Sequence, residues 1–269
     1  MRFLILPILL LLTACAGQDP QGEKIGAVNQ LYNEGLDQLQ TGDTLEAIHT
    51  FNELQRQHPY SGWATKAQVM IVYAHYLNDD PIQTASAAQT FIRLHPGHDD
   101  LAYVYYLRGI AHYNQISDVN RDQGATRKAQ ESLAALLNRF PDSIYARDAR
   151  LKQTLLDDHL AGKEMAVGRF YLEQDRYLAA IGRFKNVVKN YEQTNQIQEA
   201  LYRLTEAYAA LGLPEEAQKN AAVLGYNYPN SDWYERAYKL LTDNNWSPAL
   251  ENKPTGFLDK TVDKVKKIF

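Results

Sequence analysis

Cysteine is almost absent from this chain: Cys15 is the only one in 269 residues. One cysteine forms no internal disulfide, so no covalent cross-link holds the fold, and the odd thiol needs its own explanation. Long apolar runs are missing as well. Phe3 to Leu12 is ten residues broken by Pro7, where a hydrocarbon core about 30 Å thick needs roughly 20. No segment shows a persuasive strand alternation. Cations are spread along the chain except for Lys260, Lys264, Lys266 and Lys267 at its end, and 28 Lys and Arg stand against 32 Asp and Glu, net charge −4. This argues against nucleic acid as a partner, since that affinity rests on clustered cations. Signatures of catalysis are also lacking: no zinc-protease His-Glu-x-x-His, no glycine-rich phosphate loop ahead of a strand, no nucleophile elbow. The expectation is a non-enzyme without metal or cofactor. His95-Pro-Gly-His98 with Asp99 and Asp100 is the one metal-like grouping and reads as a solvated turn. Glu131-Ser132 reads as a surface pair, and Asp157 with Asp158 as a solvated helix face.

What is present begins at the N-terminus. Arg2 followed by the short apolar run has the form of a signal peptide. The run ends in Leu12-Thr13-Ala14-Cys15, which resembles the lipobox of bacterial lipoproteins. On that resemblance cleavage precedes Cys15, whose thiol is acylated; the alternative is a plain secretory signal with an incidental cysteine. Several acyl chains on Cys15, each buried CH₂ worth about 0.8 kcal/mol, make a stable anchor. Ala16, where an Asp retains a lipoprotein at the inner membrane in enteric bacteria, favours the outer membrane. The covalent lipid is then the only non-protein group expected.

The remainder repeats. Gly35, Ala47, Phe51 and Pro59 are spaced 12, 4 and 8 apart, and so are Thr205, Ala217, Ala221 and Pro229. Gly168, Ala180 and Phe184 keep the first two intervals, with Glu192 in place of the proline; Val72, Thr84, Ala88 and Pro96 keep all three. Ala129, Leu133 and Pro141 keep the second half, but Gly109 lies 20 rather than 12 before Ala129, which puts eight extra residues into a polar loop within Asn114 to Gly124. Small residues let paired helices approach, and proline ends the second helix. Units of about 34 residues with this pattern are tetratricopeptide (TPR) repeats. The expected fold is all-α: a TPR solenoid of about five helix pairs plus a capping helix from Ser231 to Leu241. Thr44, Ser143, Thr194 and Ser231 are candidate N-caps, Gly42 and Gly212 fit the turns, and Pro81 and Pro214 fit first-turn positions. Ser143 to Gln174 reads as one long helix or two in sequence.

In order and spacing these features resemble the BamD (ComL/YfiO) family of outer-membrane protein assembly factor lipoproteins. The resemblance spans about residues 13–242 and rests on the lipobox, the five units, the stretch from Asp43 to Tyr60, Arg121-Asp122-Gln123 in the lengthened third unit, Arg169-Phe-Tyr-Leu, Tyr177 to Phe184, and Asn227 to Tyr234. Glu192 departs from the family's proline, and the tail after Trp246 lies beyond the likeness. The resemblance implies a lipid-anchored scaffold at the periplasmic face of the outer membrane. Its implied partners are the periplasmic domains of a BamA-type barrel insertase, accessory Bam lipoproteins and unfolded outer-membrane protein segments. A periplasmic TPR adaptor for peptidoglycan or Tol–Pal-linked processes is the alternative.

The first helix of each TPR pair lines the concave face, so the register nominates binding residues. Tyr32, Tyr73, Tyr76, Tyr103, Tyr106 and Tyr113 occupy these positions in the first three units, and Arg169, Tyr202 and Glu206 in the last two. Tyrosine joins a large apolar face to a polar tip, which suits an extended peptide. For each tyrosine, packing between helices and presentation to a ligand both remain open. The expected organisation is a signal peptide at 1–14, a lipidated linker at 15–27, an N-terminal half at 28–142, a C-terminal half at 143–242, and a linker with a tail at 243–269. Residues 257–269 fit either an amphipathic helix or a frayed end.

Overall fold

The computed structural model describes residues 20–118 and 121–246, with side chains from residue 27 onward. The signal segment, Cys15 and the lysine-rich tail therefore lie outside the described residues. Among those described there are eleven helices and no strand. In chain order these are α1 Pro20–Thr41, α2 Thr44–Gln57, α3 Gly62–Leu77, α4 Pro81–Leu94, α5 Leu101–Tyr113 and α6 Gly124–Arg139; α1 packs on α2 and α5 on α6. The series continues with α7 Ala146–Glu173 and α8 Tyr177–Asn190, then α9 Gln196–Ala210 and α10 Pro214–Asn227, and closes on α11 Asp232–Asp243. The stretch after Ser143 resolves into the single 28-residue helix α7. α1 already begins at Pro20, inside the stretch expected to be linker.

Contacts divide the chain into two compact units, one ending at Asp79 and holding α1–α3, the other starting at Asp80 and holding α4–α11. The expected boundary at 142/143 falls inside the second unit, where α6 packs on α7. In that unit one core runs from Ala161 and Met165 on α7 through Phe184, Leu201, Leu204 and Leu224 to Leu241 on α11.

The repeat spacing acts through shape. A Cβ on Gly35 would stand 2.6 Å from the Phe51 ring, one on Gly168 would stand 2.4 Å from Phe184, and one on Gly109 would stand 2.3 Å from Leu133. The two phenylalanines and Leu133 are wholly buried. The glycine is thus the socket and the residue sixteen later the plug; in the third pair the separation is 24, because the eight extra residues sit in the loop between α5 and α6. Thr205 and Ala221 reverse the sizes, with a larger residue on the first helix and a small one on the second, and both are buried.

Second helices are amphipathic in the ordinary way. α2 buries Ala47, Thr50, Phe51 and Leu54, one stripe at helical spacing. α5, a first helix, instead buries Leu101, Val104, Tyr105, Leu107, Gly109, Ile110 and Ala111 on more than one side, because it is packed by both α4 and α6.

Second helices end alike. His58, His95, Phe140, Tyr191 and Tyr228 are the C-caps of α2, α4, α6, α8 and α10, with φ between −127 and −137° and ψ between 37 and 60°. Proline follows four of them and excludes the helical region for the residue before it. Tyr191 takes the same conformation ahead of Glu192, so the departure from proline leaves the helix stop intact.

Of the expected N-caps Ser231 is met, and Thr44 is corrected by one residue. Ser231 caps α11, its Oγ accepting from the Tyr234 amide at 3.1 Å. Thr44 is already the first residue of α2, and Asp43 is the cap. Ser143 and Thr194 are corrected: their helices begin later, after Tyr145 and Asn195. The backbone carbonyls of Ser143 and Thr194, not their hydroxyls, accept from Ala146 and Ile197, and the Thr194 hydroxyl donates back to the Tyr191 carbonyl.

Candidate functional site

All nine candidate binding residues fall on first helices: α1, α3, α5, α7 and α9. In the unit ending at Asp79, Tyr32 is built into the helix interface, its ring 5.7 Å from Phe51 and 4.9 Å from Trp63. Tyr73 and Tyr76 stack on each other at 6.4 Å, and Tyr76 is 37% exposed. Lys66 lies 4.6 Å over the Trp63 ring.

In the second unit, Tyr103 and Tyr106 converge on Tyr145, at 5.4 and 5.1 Å between rings. The Tyr106 hydroxyl donates to Asp148 Oδ2 at 2.8 Å, and Lys152 Nζ holds the same carboxylate at 2.9 Å. The Lys152 ammonium also lies 5.5 Å from the Tyr113 ring. These two donors hold the Asp148 carboxyl below its usual range against the burial that would raise it. The three predicted tyrosines of α5 therefore share one patch with the start of α7: aromatic faces around one ion pair. Tyr145, Asp148 and Lys152 were not anticipated. Tyr145 stands in the turn before α7, outside any repeat position, and only the periodicity of Asp148 and Lys152, one turn apart, hinted at a shared face.

The more polar candidates form a charge ladder. Arg169 Nη1 meets Glu199 Oε2 at 3.0 Å, Arg203 Nε meets Glu199 Oε1 at 3.3 Å, and Arg203 Nη1 meets Glu206 Oε2 at 2.8 Å. Tyr202 packs on Trp233 of α11 at 5.4 Å, and Arg236 lies 4.8 Å over the Trp233 ring. Arg203 is held above its ordinary value by its two carboxylates although burial works the other way. Arg169, Tyr202 and Glu206 thus come together, joined by Glu199, Arg203, Trp233 and Arg236. The signal for Glu199, Arg203 and Glu206 was their spacing of four and three on α9.

The residues read as chemically inert have more specific surroundings than expected. Asp157 is half-buried and accepts from Gln130 Nε2 at 2.6 Å, while Asp158 accepts from the Asn195 amide at 3.2 Å. The pair tethers α7 to α6 and to the start of α9, so the reading as a solvated face is corrected. Ser132 is likewise buried, at 7% exposure, while Glu131 beside it is exposed. His98 Nδ1 accepts from the Asp100 amide at 3.1 Å, and both His95 and His98 pack on Phe91.

Residues 26–224 match the YfiO family, described as outer membrane lipoprotein. The outer membrane protein assembly factor BamD of Caulobacter vibrioides is 46% identical over 238 residues, covering 88% of this chain and 78% of that protein. BamD of Rickettsia prowazekii is 42% identical over 237 residues, covering 88% and 94%. BamD of Neisseria meningitidis serogroup A is 34% identical over 245 residues, covering 86% and 92%. With a match across most of its length, this chain belongs to the YfiO family of outer membrane lipoproteins, the family of the BamD proteins.

Proposed function

We propose that this chain is a lipid-anchored periplasmic scaffold of the machinery that assembles β-barrel proteins into the outer membrane, and that it works by binding rather than by catalysis. The observation that carries this reading is identity of 46% to an outer membrane protein assembly factor over 88% of the chain, which reaches beyond both ends of the aromatic patch and the charge ladder. The two surfaces suit two kinds of partner. Within each unit separately, half-buried tyrosines, around Tyr73 in one and around Tyr106 in the other, offer apolar faces with polar edges, which fit an extended, aromatic-rich segment of an unfolded barrel protein. The alternating charges from Arg169 to Glu206 fit a folded, charged partner, and the periplasmic domains of the barrel insertase are that partner in this reading. Accessory lipoproteins bind elsewhere on the same scaffold. Acylation of Cys15 holds it at the periplasmic face of the outer membrane.

The test is purification of the chain from outer membranes in mild detergent, with mass spectrometry of what accompanies it. A large β-barrel with repeated periplasmic domains is the expected companion. Peptidoglycan fragments or wall synthases without that barrel would instead support the cell-wall adaptor reading and defeat this one.

A further inference from the structure

The side of α5 away from the tyrosine patch has a different character. At 100° per residue, Arg108 and His112 lie across the helix from Tyr103, Tyr106 and Tyr113. With Gln89 of α4 and Lys128, Glu131 and Ser132 of α6 they line an open notch of about 340 Å³. Arg108 is laid flat by its neighbours: its guanidinium sits 4.9 Å from the Tyr105 ring, and Nη1 donates to Gln89 Oε1 at 2.5 Å. Its Nε is buried and has no hydrogen-bond partner among the described residues. A buried donor left unpaired is costly, and a charged one more so. The charges nearest His112 are Arg108 on its own helix and Lys128 and Glu131 on α6; α4 contributes the uncharged Gln89. Burial together with the two cations holds the imidazole below its usual range, and burial lowers Arg108 too. The notch holds two permanent positive charges against one rim carboxylate, with an unused buried donor.

We infer that this notch binds a single phosphate group. A guanidinium fork, an ammonium, an imidazole and the Ser132 hydroxyl reach the space from two helices. That donor set exceeds what a planar carboxylate uses, and it matches a tetrahedral anion whose oxygens point several ways. A bound phosphate accepts from the Arg108 guanidinium and the Lys128 ammonium and relieves the repulsion among Arg108, Lys128 and His112. Nothing in the scaffold role requires this site.

The test follows the ring protons of His112 by NMR in the full chain, assigned with His112→Asn, while inorganic phosphate is added at constant ionic strength. The expected result is a saturable shift and a His112 titration midpoint that moves upward with phosphate. Lys128 is exposed, so Lys128→Gln folds normally and should weaken binding by about fivefold, in line with an exposed charge contact. Arg108→Lys should abolish saturation; because Arg108 packs on Tyr105, Lys128→Gln keeps the test sound if that protein is unstable. Glycerol 3-phosphate and phosphatidylglycerol vesicles then separate a small solute from a lipid headgroup, and saturation by either supports the site. An equal response to acetate, a shift that tracks salt alone, or unchanged affinity in Lys128→Gln would overturn it.

Discussion

Asp157 shows how a residue that looks ordinary in a sequence acquires a pH dependence from its position. Burial, and to a lesser degree the charge of Asp158, raise its carboxyl above the usual range, although Gln130 donates to it. A raised folded-state value means that Asp157 contributes stability at low pH, where the unfolded chain also protonates it, and that this contribution is lost as pH rises through the folded value. At neutral pH its charge is therefore a cost. Asp157→Asn keeps an acceptor for Gln130 and removes the charge. After discounting for the water that still reaches the group, a rise in Tm of about 1–2 °C at pH 7 is expected. The rise should vanish towards pH 4; the check is thermal unfolding across that range. Gly168 makes the steric counterpart. Any Cβ there enters the Phe184 ring, which is fully buried and has no room to retreat. Gly168→Ala should cost about 1–3 kcal/mol as overpacking, read by chemical denaturation. Adding Phe184→Leu should recover part of that loss, which a mere helix-propensity effect would not allow.

At the scale of the element, four helix ends share one device. Gly42, Asp175, Gly212 and Asn245 have φ of 89, 56, 68 and 54°. The amide after each reaches back five residues: Asp43 to Gln38, Arg176 to Tyr171, Leu213 to Tyr208 and Trp246 to Leu241. This is the Schellman closure of a helix, which glycine makes easily and other residues make under strain. Asp79, at φ 52°, stands at the matching place after α3, five residues before the small residue of the next helix, as Gly42, Asp175 and Gly212 do. Replacing Asp79 with glycine should stabilise the protein by about 0.5 kcal/mol, relief of strain partly offset by a freer unfolded chain, while Gly212→Ala should cost about 1 kcal/mol. Paired Tm measurements decide both. The contrast explains what the sequence let one read. Gly42 and Gly212 announce the turn because glycine is the residue that tolerates it. Asp79 and Asp175 occupy the same conformation without that mark, so only repeat alignment exposes them. The helix pairs were legible because Gly35, Phe51 and their equivalents encode local, complementary volumes at fixed spacing. The start of α7 was not: it rests on backbone bonds from Ser143 and on Tyr145, which carry no residue signature. The candidate site divides in the same way. Its first-helix members follow from the register, whereas Tyr145 and Trp233 join it from a turn and a capping helix that lie outside the register.

For the whole molecule, the question is whether the aromatic and charged surfaces serve different partners, and their energetics make this testable without unfolding the scaffold. The Arg169 side chain is 38% exposed, so its pair with Glu199 is worth roughly 0.2–1 kcal/mol to the fold. Its value to a partner is greater if that partner desolvates it, since truncating a buried interfacial charge costs about 2–5 kcal/mol. Arg169→Ala should therefore leave Tm nearly unchanged yet lower co-purified insertase at least tenfold. Tyr73 lies in the other compact unit and is only partly covered. A photo-crosslinking residue at Tyr73 should capture unfolded barrel precursors, and Tyr73→Ala should reduce that capture while insertase recovery stays intact. If both substitutions impair both partners equally, the surfaces do not divide the work. If the crosslinker at Tyr73 captures the insertase alone, the Tyr73 surface belongs to docking and the substrate must bind elsewhere. Thermal unfolding of each variant, run beside the binding measurements, separates loss of a contact from loss of the helices that present it.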